Sequence, residues 1–127
     1  MAVNIRDDRR IRGFWQTFQL YPVTQEWAEE LHNYFIMGYL SGSFHQACFA
    51  NDLYGAACRT HISNRWENIV AMMKWINEYA PAGSWGSYEN VATWLAKSEE
   101  ERKKICINKG WMLTDEEYTW ARVSEEA

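Results

Sequence analysis

A chain of 127 residues, 47% hydrophobic and 16% aromatic, has the apolar area to fold as one domain over residues 1–127 and is neither disordered nor of low complexity. Thirteen Lys and Arg against 17 Asp and Glu give a net charge of -4, which argues against a nucleic-acid partner yet falls short of the dense acidity of a DNA mimic. The stretch MAVNIRDDRR carries charge where a secretory signal needs an apolar core, and no apolar run approaches the roughly 20 residues that span a bilayer, so a cytoplasmic location without a membrane is expected.

In chain order, flexible ends are expected at residues 1–6 and 124–127. Ile11, Phe14 or Trp15, and Phe18 make one short helical face, interrupted by Gly13. From Thr24, the spacing of Trp27, Leu31, Tyr34, Phe35 and Tyr39 predicts an amphipathic helix ending near Ser41 and Gly42. A longer stripe, Cys58, Ile62, Trp66, Ile69, Val70, Met73 and Ile76, predicts the strongest helix, stopped by Pro81. Ser87 is placed to cap a helix carrying Val91, Trp94 and Leu95. Ser98 opens SEEERKKICINKG, a capping box with Glu101, acids in the first turn, bases later and Gly110 to close it. Thr114 and Glu117 repeat that logic before a final helix carrying Trp120 and Val123. No stretch alternates as a strand does. The expected fold is therefore all-α, a single irregular bundle of five to six helices with no significant sheet and no heptads.

The segment HQACFANDLYGAACRTH, residues 45–61, pairs His45 with Cys48 and Cys58 with His61, each pair three apart and on one helical face. Asn51, Asp52 and Gly55 between them favour a turn, so a hairpin bringing the four together around a structural zinc is one reading. The other makes Cys48 and Cys58 small buried hydrophobes and leaves His45 and His61 at the surface or bonded to a carbonyl. The pattern lacks a CxxC knuckle, and a helical domain of this size needs no metal, so no cofactor is expected and zinc is the alternative. Three cysteines, Cys48, Cys58 and Cys106, are an odd number, which favours free thiols over a disulfide framework. Nucleophile elbow, phosphate loop and HExxH motifs are all lacking, so no enzyme is expected; a thiol-dependent enzyme built on these Cys–His pairs is the remoter alternative.

Between Gly13 and Cys58 there is no Lys or Arg, while Glu26, Glu29, Glu30 and Asp52 are acidic and 11 of the 20 aromatic residues fall in the same span. That exceeds what one core-facing stripe buries, so part of it is expected at the surface, where Tyr and Trp beside acids suit a basic protein partner. The candidate contacts are Trp15, Tyr21, Glu26, Glu29, Glu30 and Tyr39. A homodimer through the same half fits the pattern equally. Positive charge gathers in Arg6, Arg9, Arg10 and Arg12 and again in Lys97, Arg102, Lys103, Lys104 and Lys109, interleaved with Asp7, Asp8 and Glu99 to Glu101, and reads as solvated surface.

In its small size, its lack of catalytic motifs and its acidic, aromatic first half, the chain resembles small phage-encoded inhibitors of bacterial defence, such as anti-CRISPR proteins, and toxin-immunity proteins. The resemblance implies a non-enzymatic protein that occludes a partner's surface, in the host cytoplasm if phage-encoded. The alternative is a zinc-stabilised helical module contacting nucleic acid through its Arg-rich start and the Lys97 to Lys109 segment.

Overall fold

The computed structural model describes residues 8–126 apart from Ser41 and Ile62, with side chains described as far as residue 120. The expectations for residues 1–6, Arg6, Asp7, Ile62 and the Val123 side chain lie outside the described residues. Among the described residues there are eight α-helices and no strand, so the all-α expectation holds while the helix number exceeds the five to six expected. The excess is the α3–α4 hairpin, which stands where the expected long helix from Cys58 would begin.

At the start, Asp8 accepts from the Arg10 N–H at 2.9 Å and begins a 3-10 turn, Arg9–Ile11. It runs into α1, Arg12–Gln16, and a second 3-10 turn, Thr17–Gln19. Gly13 does not interrupt α1. It lets the helix lie against the backbone of residues 110–113, where Phe14 N–H donates to the Trp111 carbonyl at 3.1 Å and Leu113 N–H to the Arg10 carbonyl at 2.9 Å. A Cβ on Gly13 would stand 2.0 Å from the Gly110 carbonyl oxygen.

Thr24 caps α2, Gln25–His32, by accepting from the Trp27 N–H. The helix then widens into a π-helical turn, Asn33–Met37, and stops at Gly38, which has φ 78°, earlier than the expected end near Ser41 and Gly42. The left-handed Gly38 is closely covered by the Arg102 guanidinium, whose Cζ would be 2.3 Å from any Cβ placed there.

The expected long helix from Cys58 is divided. A hairpin of α3, Ser43–Phe49, and α4, Leu53–Arg59, precedes α5, Trp66–Tyr79. Asn51 turns the chain with φ 60°, and Asp52 caps α4 by accepting from the Gly55 N–H at 2.8 Å. Beyond α4, Thr60 is extended; His61 accepts from the Ser63 N–H at 3.1 Å and Asn64 donates to the Thr60 hydroxyl at 2.9 Å. At Thr60, His61, Ser63 and Asn64 these local polar bonds take the place of helical ones. The core face of α5 is Ile69, Met72, Trp75 and Ile76, whereas Cys58 and Trp66 of the expected stripe are exposed and Val70 and Met73 half-buried. The backbone turns extended at Ala80, just ahead of Pro81.

The last three helices follow their caps. Ser87 opens α6, Tyr88–Ala96, and Ser98 opens α7, Glu99–Asn108, which Gly110 closes at φ 78°. Thr114 and Glu117 form the full reciprocal box of α8, Asp115–Glu126, with both bonds at 3.1 Å. The backbone of α8 is helical as far as Glu126, and Trp120 is 70% exposed.

One contiguous apolar cluster joins these elements. At its centre Phe14 meets Trp15, Phe18, Trp75 and Trp111 edge to face, with centroids 5.1–5.8 Å apart. The polar ends of its large aromatics are satisfied: Trp75 donates to the Thr17 hydroxyl at 2.7 Å, Trp94 to the Tyr34 carbonyl at 2.9 Å, and Tyr34 to the Ser84 carbonyl at 2.6 Å. Of the aromatics between Gly13 and Cys58, only Tyr39 and Tyr54 are exposed, so the aromatic half supplies mostly core.

Candidate functional site

Because α5 gives the core its Ile69, Met72, Trp75 and Ile76, the neighbouring residues on its flank stay at the surface. Trp66, Val70, Met73 and Lys74 form one wall of an open groove of about 390 Å³, with Leu53 of α4 and Tyr21 also lining it. Asn77 and Glu78 line it too. Trp66 is 59% and Leu53 63% exposed, a large apolar pair that the fold leaves uncovered. Leu53 also borders a smaller cavity of about 150 Å³ that reaches Cys48 and Ala56. Tyr21 stands edge-on to Tyr79 at 5.8 Å, and its phenol is pushed up by burial and then by the Glu78 carboxylate.

Of the six expected contact residues, Tyr21 alone lines this groove. Trp15 is half-buried and stacks on His32 with ring centroids 5.7 Å apart. Tyr39, 49% exposed, follows Gly38 at the end of the π-helical turn. Glu26 is exposed on α2, with Glu29 and Glu30 half-buried beside it; the Glu30 carboxyl is raised by burial and then by its two acidic neighbours. None of the three carboxylates has an ion pair among the described residues. Leu53, Trp66, Val70 and Met73 are functional candidates that sequence reasoning missed. The available signal is the composition of α5, which carries more apolar residues than one core stripe of a 14-residue helix accommodates.

The His and Cys residues of the 45–61 segment are not brought together. The hairpin forms, but α4 turns Gly55 and Ala56 inward and leaves Cys58 exposed, while Cys48 is in the core. His61 is exposed and bonds Ser63 at 2.6 Å. Among the described residues no three His, Cys, Asp or Glu side chains converge where a metal ion could sit. Burial pushes the Cys48 and Cys106 thiols up to about 12.

His45 lies among Trp27, Phe44 and Phe49, its Nε2 buried without a hydrogen-bond partner among the described residues, and burial pushes its imidazole down to about 4. Its neutral form is thus favoured by folding, and the unfolded chain takes up the proton first as pH falls below about 6.5. This contribution is fully present above that pH and is lost progressively down to about 4. Lowering the pH from 7 to 5 should therefore cost about 2 kcal/mol through His45. Burial lowers His32 as well, with the same sign. In His45→Phe the loss of stability over that interval, read from denaturant titrations at the two pH values, should shrink to the remainder from His32 and the carboxylates; an unchanged slope would contradict the assignment.

Among the described residues no helix is long and apolar enough to cross a membrane. None of the protein-family models matches the chain, and neither do the curated proteins nor the solved structures with which it was compared.

Proposed function

We propose that this protein works by binding another protein and covering part of its surface, as an inhibitor does, and that it catalyses no reaction. The observation that carries the reading is the apolar groove with half-exposed Trp66 and Leu53 at its mouth. Fixed aromatic and aliphatic side chains around a concavity supply the desolvated anchor points on which protein interfaces depend. The occupant is an apolar side chain of the partner flanked by basic residues. The stretch from Gly13 to Cys58, which contributes Tyr21 and Leu53, holds no Lys or Arg, and Glu78 lies in the lining with Lys74. The acids Glu26, Glu29 and Glu30, without an ion pair among the described residues, extend the same electrostatic preference along α2. Two of the three thiols and His45 are held neutral by burial, which suits a scaffold better than a nucleophile and base.

The test compares the native chain with Trp66→Ser and Leu53→Ser, which leave the core untouched. Quantitative capture from the native source should identify a protein whose affinity falls at least about thirtyfold in Trp66→Ser, the loss expected of one hot-spot tryptophan. A partner bound equally by the variants places the contact elsewhere. A concentration-dependent dimer that Trp66→Ser dissolves would replace the partner with a second copy of the chain.

A further inference from the structure

The groove beside α5 does not end at the surface. It shares Leu53, Ile69 and Met73 with the smaller cavity of about 150 Å³ between α5 and the α3–α4 hairpin, so the two spaces meet across those side chains. Leu53 is exposed and Met73 half-buried, and neither is branched at Cβ, so both can change rotamer; Ile69 is buried and β-branched and stays as a floor. Beyond them the inner cavity is lined by Ala47, Ala56 and Cys48, whose thiol burial keeps neutral. Asp52 also borders it, but its two carboxylate oxygens are held by the Gly55 N–H and the Tyr88 hydroxyl. An apolar space of this volume takes one benzene-sized ring.

The far end of the groove is polar. Lys74, Asn77, Glu78 and Tyr21 line it, and about 12 Å of helix separates Ile69 from Asn77. Lys74 and Glu78 carry opposite charges one helical turn apart, with an amide and a phenol beside them. A head group that both donates and accepts without net charge is served by all four, whereas an ionised head is drawn to one charge and repelled by the other. We infer that groove and inner cavity form one site for a small uncharged amphiphile. Its ring or branched end passes Leu53 and Met73 into the inner cavity, its chain lies along Val70, and a carboxamide-like head sits among Lys74, Asn77 and Glu78. The volumes suit such a ligand, since sites for small molecules are concave, mainly apolar and oriented by a few polar groups. Occupied in this way, the groove has no room for a partner's side chain, so the ligand controls association. That competition rests on the protein-binding reading above; the ligand site does not.

The test is calorimetric titration of the full chain with ω-phenylhexanamide, the matching carboxylate, the matching amine, and hexanamide. Saturable one-to-one binding of the phenyl amide is expected, with hexanamide at least about thirtyfold weaker for want of the ring. Ala56→Leu, which fills the inner cavity and is shown to be folded by its melt, should lose at least about tenfold in affinity for the phenyl amide, and the gentler Ala56→Val a smaller part of that. Trp120→Ser, on α8, should lose nothing. Equal affinity for hexanamide, or in both Ala56 variants, would overturn the inner cavity as the seat of the ring. Equal or tighter binding of the carboxylate or the amine would overturn the uncharged head. Partner capture that depends on Trp66 without saturable binding of the phenyl amide would remove this site and leave the protein-binding reading standing; saturable binding of the amide with no partner captured would do the reverse.

Discussion

Gly13→Ala should be among the most damaging single-atom-group additions the fold can receive. The new methyl would stand 2.0 Å from the Gly110 carbonyl oxygen and within 3.3 Å of the Trp111 Cα, both backbone atoms that cannot swing aside. Relief requires α1 to move off residues 110–113, which loosens the Phe14 to Trp111 and Leu113 to Arg10 hydrogen bonds together. Overpacking of this kind costs about 3 kcal/mol, or about 10 °C in melting temperature for a chain of this length. Gly110→Ala is the matched comparison. Unlike helical Gly13 it sits at positive φ, 78°, but open space surrounds its missing side chain, so only the left-handed strain of about 1 kcal/mol applies. Thermal melts giving the two variants equal losses would refute the close approach.

The second large effect is expected at Arg102, a cation only 9% exposed and without a carboxylate partner among the described residues. Its guanidinium donates to the Lys97 carbonyl at 2.5 Å, where α6 ends, and to the Met37 carbonyl at 3.2 Å, where the π-helical turn ends. Both acceptors belong to the carbonyl-bearing, negative ends of helical segments, and these take the place of a counter-ion. Arg102→Ala strands both carbonyls and opens a void below Gly38, at a cost of about 3 kcal/mol in denaturant titration. Arg102→Lys should restore little, because one ammonium does not reproduce two planar donors. Arg102→Met is the decisive variant: it refills the volume without the hydrogen bonds, and a stability equal to the native chain would show that the carbonyls need no donor.

Much of the fold was legible because much of it is local. Ser87, Ser98, Thr114 and Gly110 mark helix ends through chemistry that acts within a few residues of each, and each does so in the structure. The end of the second helix was not: Gly38 and Gly42 are both possible stops in the sequence, and Arg102, from a helix far along the chain, fills the space over Gly38 where a side chain would stand. Nor was the break at 60–65, where His61, Ser63 and Asn64 satisfy one another locally under a stripe of apolar residues that spacing alone extends straight through. That error also hid the groove. With Trp66, Val70 and Met73 counted toward the core, nothing was left to line a surface, and the true core residues Met72 and Trp75 were passed over. Tyr21 was legible as an aromatic in an acidic stretch; its neighbours in the groove come from two other segments and become one site only through packing. The His and Cys pattern left two readings open for a related reason, because symmetry in sequence carries no information about which way α4 faces.

Asp52 caps α4 with one carboxylate oxygen and accepts the Tyr88 hydroxyl at 2.5 Å with the other, and the Gly86 N–H reaches the Phe49 carbonyl at 2.7 Å. The α3–α4 hairpin is thus fastened to the start of α6 by a few polar links, while α4 itself buries only Gly55 and Ala56. Because α3 is seated in the core through Ala47, Cys48 and Phe49, Leu53 stands on a packed support, and one carboxylate joins that wall of the groove to the start of α6.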